Sequence, residues 1–315
     1  MDFFEKSVVV TGGAGFIGSH VVDALVAQGA RVTVIDNLST GFREFVSPKV
    51  SFVEGDLLDQ ALLDRTFAKQ EFVFHFAANA DVKDGLAHPR KDVQQNILAT
   101  QNVLEAMRLN GVRQIAFSST GSAYGESAVI PTPEDAPFPI QTSLYGASKV
   151  AAEGLLSAYA YGYGFDIWIY RFVSMLGPRY SHGHVIDFYR KLKRDPARLA
   201  VLGDGRQRKS YLHVSDCVAA IMLTIARSSP GADPRIYNIG HDDWIEVKES
   251  IRVICRELNV TPELNYSGGT RGWVGDSPRI LLNTSKLRAI GWKPTQSIEA
   301  AIIDTLSFLR TSAFL

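Results

Sequence analysis

The sequence predicts an α/β protein with a doubly wound parallel sheet and a smaller C-terminal α+β lobe. Two observations indicate this fold. Short β-branched runs alternate with segments of helical spacing through the first third of the chain, which is typical of parallel strands joined by crossover helices. The predicted strands are also almost continuously apolar, as at residues 8–10, and strands of this kind belong to sheets that are covered on both faces.

Each element follows from its local pattern. Strands are predicted over 8–11, 31–35, 50–53, 72–76, 114–118 and 165–170, and helices over 16–28, 60–69 and 92–109. Gly29 and Gly111 are placed to end the first and the third of these helices. A proline-rich connector over 130–139 precedes a helix that begins near Tyr145. We predict domains over 1–171 and 172–315, with a strand near 236–239 returning to the first domain.

Composition excludes several classes of protein. The 33 Lys and Arg residues balance 33 Asp and Glu residues, so the chain lacks the cationic surplus of a nucleic-acid-binding protein. Two cysteines, Cys217 and Cys255, are too few for a disulfide framework. The histidines have no metal-ligand spacing. No segment approaches the roughly 18 apolar residues of a membrane span, and the N-terminus has no signal-peptide pattern, so we expect a cytoplasmic protein.

A glycine-rich turn connects the first strand to the first helix. Gly12, Gly15 and Gly18 have a spacing that lets the backbone approach a pyrophosphate at the helix N-terminus. Asp36 follows at the end of the second strand, where a carboxylate accepts hydrogen bonds from an adenosine ribose and repels a 2′-phosphate. This combination predicts a Rossmann-type domain that binds NAD in preference to NADP.

A phenol and an ammonium are spaced to share one helix face. Tyr145 and Lys149 stand at i and i+4. A phenol with a pKa of about 10 is a poor base at neutral pH, and we expect the Lys149 ammonium and an oxidised nicotinamide to lower the pKa of Tyr145. Thr120 ends the fifth strand, where it would hydrogen-bond a reacting alcohol and share its proton with Tyr145. A purely structural hydroxyl is the alternative for Thr120.

Together these motifs resemble the extended short-chain dehydrogenase/reductase family, and within it the UDP-glucose (UDP-galactose) 4-epimerases, especially those of the compact archaeal type. The resemblance covers essentially the whole chain. It rests on TGGAGFIGSH, Asp36-Asn37, Phe76-Ala77-Ala78, Ser118-Ser119-Thr120 with Ala123-Tyr124-Gly125, YGASK, and the segments 203–205, 209–211 and 271–276. It implies NAD as cofactor, a nucleotide sugar of the UDP-hexose type as substrate, and a homodimer that pairs helices 92–109 and 145–161.

The resemblance also implies a role for each matching residue. Tyr145 would be the acid/base, Lys149 would hold the nicotinamide ribose, and Thr120 would bridge Tyr145 to the sugar O4. The NAD site would contain Gly12, Gly15, Phe16, Ile17, Gly18, Asp36, Asn37, Asp56, Leu57, Phe76, Ala77, Ala78, Asn96, Ser118, Tyr145, Lys149 and Phe172. The substrate would contact Thr120, Ser174, Arg179, Lys209, Tyr211 and Arg271. Loop capping is the alternative for Asp56, and a structural role is the alternative for Arg179.

The residues after Thr120 bear on the reaction. The similar sugar-nucleotide 4,6-dehydratases carry acidic residues there, whereas Gly121 and Ser122 cannot act as general acids near neutral pH. We therefore expect reversible oxidation at C4 of the sugar, with 4-dehydrogenation, 4,6-dehydration and a non-catalytic NAD-binding regulator as alternatives. One position departs from the family: Ser174 stands where an Arg-x-x-Asn stretch often has Asn, which leaves the nucleotide and the sugar undetermined.

Overall fold

The computed structural model describes residues 1–80, 84–137, 140–229, 231, 233–273, 275–277 and 279–312. Positions 138–139 of the predicted proline-rich connector lie outside the described residues. The strands are β1 (Ser7–Thr11), β2 (Arg31–Asp36), β3 (Ser51–Glu54), β4 (Phe72–His75), β5 (Gln114–Thr120), β6 (Asp166–Phe172), β7 (Ser174–Leu176), β8 (Arg198–Val201), β9 (Arg208–Lys209), β10 (Tyr211–His213), β11 (Arg235–Ile239), β12 (Ile245–Glu246), β13 (Glu263–Tyr266) and β14 (Arg279–Ile280).

The helices are α1 (Phe16–Ala27), α2 (Gln60–Phe67), α3 (Pro89–Asp92), α4 (Ala99–Leu109), α5 (Leu144–Tyr163), α6 (His184–Arg194), α7 (Val214–Arg227), α8 (Val247–Leu258), α9 (Ser285–Ala289) and α10 (Ile298–Thr311). Local signals in the sequence mark where helices start and stop. For example, Ser143 caps α5 by accepting a hydrogen bond from the Gly146 N–H at 3.0 Å, and Gly164 ends it with φ +68°. No helix in the described part of the chain is both long and apolar enough to cross a membrane.

In the described residues, seven strands form one sheet in the order β11-β6-β5-β4-β1-β2-β3, and every pair is parallel. Alternate residues of β1 point to opposite faces: Val8 and Val10 pack in one buried cluster and Val9 in another. Helices α2, α4 and α5 cover the Val9 face, and α1, α7 and α10 cover the other. This confirms the predicted doubly wound α/β fold.

Two predicted helices differ from the observed ones. The helix predicted over 92–109 is interrupted by a wide helical turn, Val93–Leu98, which brings the Asn96 side chain against the backbone of Asn79. The helix predicted over 60–69 ends at Phe67, and Lys69 has φ +63°. A helical period in the sequence does not reveal such a local widening, because it changes the pattern by only one residue.

Several short C-terminal strands form small sheets apart from the main one. β7 begins two residues after the end of β6 and pairs with β10, while β9 pairs with β12 and β14. The segment predicted to return, 236–239, lies within β11 and extends the main sheet beside β6. The division into domains at residue 172 stays a prediction.

Candidate active site

The turn between β1 and α1 requires glycine for steric reasons. Gly12 has φ +70°, and a Cβ added there would lie 2.5 Å from the Ala77 backbone nitrogen. A Cβ added at Gly18 would lie 2.1 Å from the Gly12 carbonyl oxygen. At Gly15 an added Cβ would meet only that same oxygen, at 3.1 Å, so the space beside the N-terminus of α1 is open. An open glycine surface beside the first N–H groups of a helix fits a pyrophosphate.

Asp36 closes this turn from the end of β2. One carboxylate oxygen accepts the Ala14 N–H at 2.9 Å and the other accepts the Leu38 N–H at 2.9 Å. Burial raises the pKa of Asp36 above its usual value. The carboxylate thus lies where the sequence predicts it, beside the phosphate-binding turn, although sequence spacing does not reveal that it also holds the turn itself.

Asn37 and Asp56 form hydrogen bonds that hold their own loops. The Asn37 side chain donates to Asp56 Oδ2 at 3.0 Å, and Asp56 Oδ1 accepts the Leu58 N–H at 2.9 Å. The bond from Leu58 is the one that the loop-capping alternative for Asp56 expects. Leu57 beside it is buried, and so are Phe16 on α1 and Phe172 on β6. Phe76, Ala77 and Ala78 follow the end of β4, and Ile17 lies in the first turn of α1, both at the carboxyl edge of the sheet.

Lys149 is buried between α5 and the end of β5. Its side chain is only 2% exposed, its Nζ donates to the Ser118 carbonyl at 2.8 Å, and it lies 4.8 Å from the centre of the Phe117 ring. Burial lowers the pKa of Lys149 to about 7. The ammonium therefore titrates near neutrality in this structure. The Ser118 hydroxyl, in turn, donates to the His75 carbonyl at 3.2 Å.

Tyr145 is half-buried beside Thr120, as the two motifs predict. Burial raises the pKa of Tyr145 to about 12, and the Thr120 side chain only partly opposes this effect. The expected lowering of this pKa by Lys149 together with an oxidised nicotinamide stays a prediction, because only the Thr120 hydrogen bond opposes the effect of burial in this structure. Thr120 also accepts the Ser122 N–H at 3.1 Å, which fixes its hydroxyl at the strand end.

Asn96, predicted to line the NAD site, belongs to a buried polar network. Its side-chain N–H group donates to Ser148 Oγ at 2.8 Å and to the Asn79 carbonyl at 3.2 Å, and its oxygen accepts the Asn79 N–H at 2.8 Å. Asp92 accepts from the Asn79 side chain at 2.9 Å. The wide turn 93–98 therefore supports the helix that carries Tyr145 and Lys149, and Asp92 and Asn79 were missed by the sequence prediction.

His75 at the end of β4 links β1 to α4 and is uncharged. Its Nδ1 lies 2.7 Å from the Thr11 hydroxyl and its Nε2 lies 3.0 Å from the Thr100 hydroxyl. Complete burial lowers the pKa of His75 to about 3. In the described part of the chain, no three His, Cys, Asp or Glu side chains are grouped so that they could hold a metal ion.

The two cations expected to meet a diphosphate already have acidic partners. Lys209 Nζ lies 2.6 Å from Asp276 Oδ1, and Asp276 is 3% exposed. Arg271 pairs with Glu126 and donates to the Asp276 carbonyl at 2.7 Å. Tyr211 is buried, with its ring 4.6 Å from that of His184. Between Arg271 and Asp276, Val274 lies outside the described residues.

Arg179 pairs with a residue of α1, and Ser174 is exposed. The Arg179 guanidinium lies 2.7 Å from Asp23 on α1 and 6.0 Å from the centre of the Phe45 ring. This pairing is what the structural alternative for Arg179 expects, and the contact of Arg179 with phosphate or a sugar carboxylate stays a prediction. Ser174 begins β7 with an exposed side chain, two residues beyond the end of β6.

Residues 8–240 match the NAD dependent epimerase/dehydratase family. The chain belongs to this family. Its relatives include a UDP-glucose 4-epimerase from Streptomyces lividans, 32% identical over 94% of this chain and 94% of the relative. A relative from Methanocaldococcus jannaschii is 32% identical over 97% of this chain and 99% of its own length. A dTDP-D-glucose 4,6-dehydratase from Mus musculus is 30% identical over 98% of this chain and 89% of the relative.

Solved structures of UDP-glucose 4-epimerases have the same fold. The Thermotoga maritima protein with UDP-glucose is 33% identical, has a TM-score of 0.88, and matches 96% of this chain and 98% of that one. The Thermus thermophilus protein in complex with NAD is 34% identical, has a TM-score of 0.85, and matches 97% of this chain and 99% of that one. These similarities confirm the predicted family and its cofactor, NAD.

One ion pair in this family member was not found from its sequence. Glu153 and Arg171 form a buried pair beside Lys149, with 2.6 Å between Arg171 Nη2 and Glu153 Oε2. Glu153 stands four residues after Lys149, so extending the i, i+4 spacing by one more step would have placed it on the Tyr145 face. Nothing in the local pattern identifies Arg171 as its partner, because that residue lies on another element.

Proposed function

We propose that this protein interconverts the C4 epimers of a nucleotide sugar of the UDP-glucose/UDP-galactose type, with NAD as its cofactor. The observation that carries the proposal is the group of Tyr145, Thr120 and Lys149 at the carboxyl end of β5. This group contains a single acid/base, the Tyr145 phenol, which can exchange a proton with one substrate hydroxyl. Epimerisation at C4 needs one acid/base, whereas dehydration needs additional proton transfers at C5 and C6.

Each of the three residues has one task in this proposal. Thr120 hydrogen-bonds the sugar O4 and Tyr145 accepts the O4 proton, which it returns when the 4-keto sugar is reduced on its opposite face. Lys149 holds the nicotinamide ribose through Nζ. When bound, NAD supplies a reversible hydride acceptor and a positive charge that favours the phenolate. That charge is needed because the pKa of Tyr145 is raised to about 12 without it.

The nucleotide end of the substrate is assigned to Lys209 and Arg271. Both are close to the buried Asp276, and both carry a positive charge that can hold a diphosphate. Tyr211 and Ser174 stand opposite each other on the paired strands β10 and β7. In this assignment the substrate diphosphate competes with Asp276 and Glu126 for the two cations.

Product analysis tests the proposal directly. Purified protein with UDP-glucose and NAD is expected to yield UDP-galactose, resolved by anion-exchange chromatography, without net formation of NADH. Tyr145→Phe should lower kcat by at least about 100-fold because it removes the acid/base. Tyr163→Phe, at the exposed end of the same helix, is the control. The proposal fails if no UDP-, dTDP- or GDP-hexose is epimerised, or if Tyr145→Phe retains full activity.

The 4-dehydrogenase alternative uses the same three residues and differs only in whether the ketosugar is released. Stoichiometric NADH and ketosugar in the same assay would favour it. Loss of O6 from the product would favour the 4,6-dehydratase. Gly121 and Ser122, which follow Thr120 in a tight turn, provide no carboxyl group for that reaction.

We also propose a cytoplasmic homodimer that pairs α4 and α5 across a two-fold axis. Large apolar side chains on these helices are exposed, including Leu109 at 60% and Tyr161 at 70%. The free thiols of Cys217 and Cys255 suit a reducing compartment. Sedimentation velocity at micromolar concentration should give a dimer, and a monomer would contradict this assignment.

A further inference from the structure

A charged residue, Glu153, shares the helix face of Tyr145 and Lys149. Tyr145, Lys149 and Glu153 follow one another at four-residue intervals on α5. The Glu153 side chain is only 9% exposed, so its carboxylate cannot rely on water for solvation. A buried carboxylate one helical turn from a buried ammonium requires an explanation beyond helix stability.

Glu153 is fixed from two strands. Arg171 on β6 donates from Nε to one carboxylate oxygen at 3.0 Å and from Nη2 to the other at 2.6 Å. The Ser119 hydroxyl on β5 donates to the first oxygen. Arg171 is itself held by the Glu134 carbonyl at 3.1 Å and by the Tyr124 ring, whose centre is 4.6 Å away. Such a bidentate pair permits little rotation of the carboxylate.

The end of β5 meets this helix face residue by residue. The Ser118 carbonyl accepts from Lys149, the Ser119 hydroxyl donates to Glu153, and the Thr120 side chain contacts Tyr145. Three consecutive strand residues therefore fix three consecutive positions of the helix face. The contact at Ser119 continues to a third element, through the Glu153–Arg171 pair.

The surroundings of Lys149 show what Glu153 contributes electrostatically. The carboxylates of Glu153 and Asp92 stabilise the ammonium, while burial opposes it. His75 on β4 is neutral, Phe117 presents a ring face, and the hydroxyl and amide groups around Asn96 carry no charge. Arg171 balances the charge of Glu153 and also contacts Glu134 and Tyr124.

From these contacts we propose that Glu153, fixed by Arg171 and Ser119, is a positioning residue that holds the Lys149 ammonium and the Tyr145 phenol against the end of β5. The inference rests on the proposed function for its catalytic consequence, but not for its structural one. Glu153 does not touch the substrate in this account. It keeps Lys149 charged and keeps the helix face in register with Thr120.

The test replaces Glu153 by Gln, which keeps the shape and removes the charge. The Lys149 pKa is measured in the purified protein by NMR of 13C-labelled lysine side chains, with the signal assigned from Lys149→Met. We expect Glu153→Gln to lower this pKa by at least about one unit. In the epimerase assay kcat should fall more than KM changes, and the alkaline limb of the kcat profile should move to lower pH by a similar amount. Glu153→Asp, which keeps the charge, should restore part of both.

The matched control is Asp166→Asn. Asp166 forms a half-buried ion pair with Arg235 at the far end of β6, and the two side chains are 15% and 14% exposed. This variant should leave the Lys149 pKa and the kcat profile unchanged. If it shifts them as much as Glu153→Gln does, or if folded Glu153→Gln leaves both unchanged, the inference is overturned.

If Glu153→Gln does not fold, Ser119→Ala takes its place in the test. This variant removes only one of the hydrogen bonds to Glu153. It should lower the Lys149 pKa by a smaller amount than Glu153→Gln. An unchanged pKa in that variant would also overturn the inference. The titration does not require turnover. A wild-type protein that shows the titration but epimerises no sugar would refute the proposed function and leave the inference standing.

Discussion

Replacing Lys149 by Met should stabilise the cofactor-free protein while removing a residue of the proposed site. Burial lowers the pKa of Lys149 from 10.5 to about 7, so the folded protein binds fewer protons than the unfolded chain between these values. At about 1.4 kcal/mol per pH unit, the buried ammonium destabilises the folded state by about 4 kcal/mol at pH 7. Met fills a similar volume without this cost.

One contact offsets part of the gain. The hydrogen bond from Lys149 to the Ser118 carbonyl, 2.8 Å long, is lost in the variant at a cost of about 1 kcal/mol. The net stabilisation should therefore be about 3 kcal/mol at pH 7. Because the wild-type protein gains stability as Lys149 loses its proton, the difference should shrink to nearly zero at about pH 9.5.

Urea unfolding of both proteins, with NAD removed, measures this difference at the two pH values. Lys49→Met, at an exposed position, controls for the general effect of the substitution and should show no such pH dependence. A Lys149→Met protein that is less stable than wild type at pH 7 would refute the reasoning. So would a stabilisation that is the same at both pH values.

Three further outcomes follow from the structure. Gly18→Ala would place a Cβ 2.1 Å from a backbone oxygen of the same turn, so the purified variant should lack bound NAD, whereas Gly154→Ala, with open space at its Cβ, should retain it. Asp36→Asn removes the charge that repels a 2′-phosphate and should raise NADP binding relative to NAD by at least about tenfold in a fluorescence titration; an unchanged ratio would contradict this. Asp216→Ala leaves three donors at 295–296 without their acceptor and should lower the free energy of unfolding by about 2–4 kcal/mol, and a loss below about 1 kcal/mol would be inconsistent with that network.

Features that depend on neighbouring residues were predictable from the sequence. The strands, the glycine turn and the Tyr145–Lys149 spacing are local patterns, and a parallel sheet brings the ends of its strands to one edge. Thr120 and Tyr145 therefore meet as expected even though they lie on different elements.

Features that depend on burial and on distant partners were not predictable. The pairing of Arg179 with Asp23 and of Lys209 with Asp276 joins residues far apart in the chain, and charge alone does not identify such partners. The pKa of Tyr145 is a similar case. Sequence spacing reveals the nearby ammonium but not how far the phenol is removed from water, and burial is the largest cause of the raised pKa in this structure.

The central claim is that one hydride leaves C4 of the sugar and returns to the same carbon on the opposite face. Incubation of the protein with UDP-glucose deuterated at C4 tests it most directly, with the UDP-galactose formed analysed by mass spectrometry and NMR. We predict that the deuterium stays at C4 and that none enters from heavy water when unlabelled substrate is used. Loss of the label to solvent, or a UDP-galactose formed without any deuterium at C4, would contradict the account.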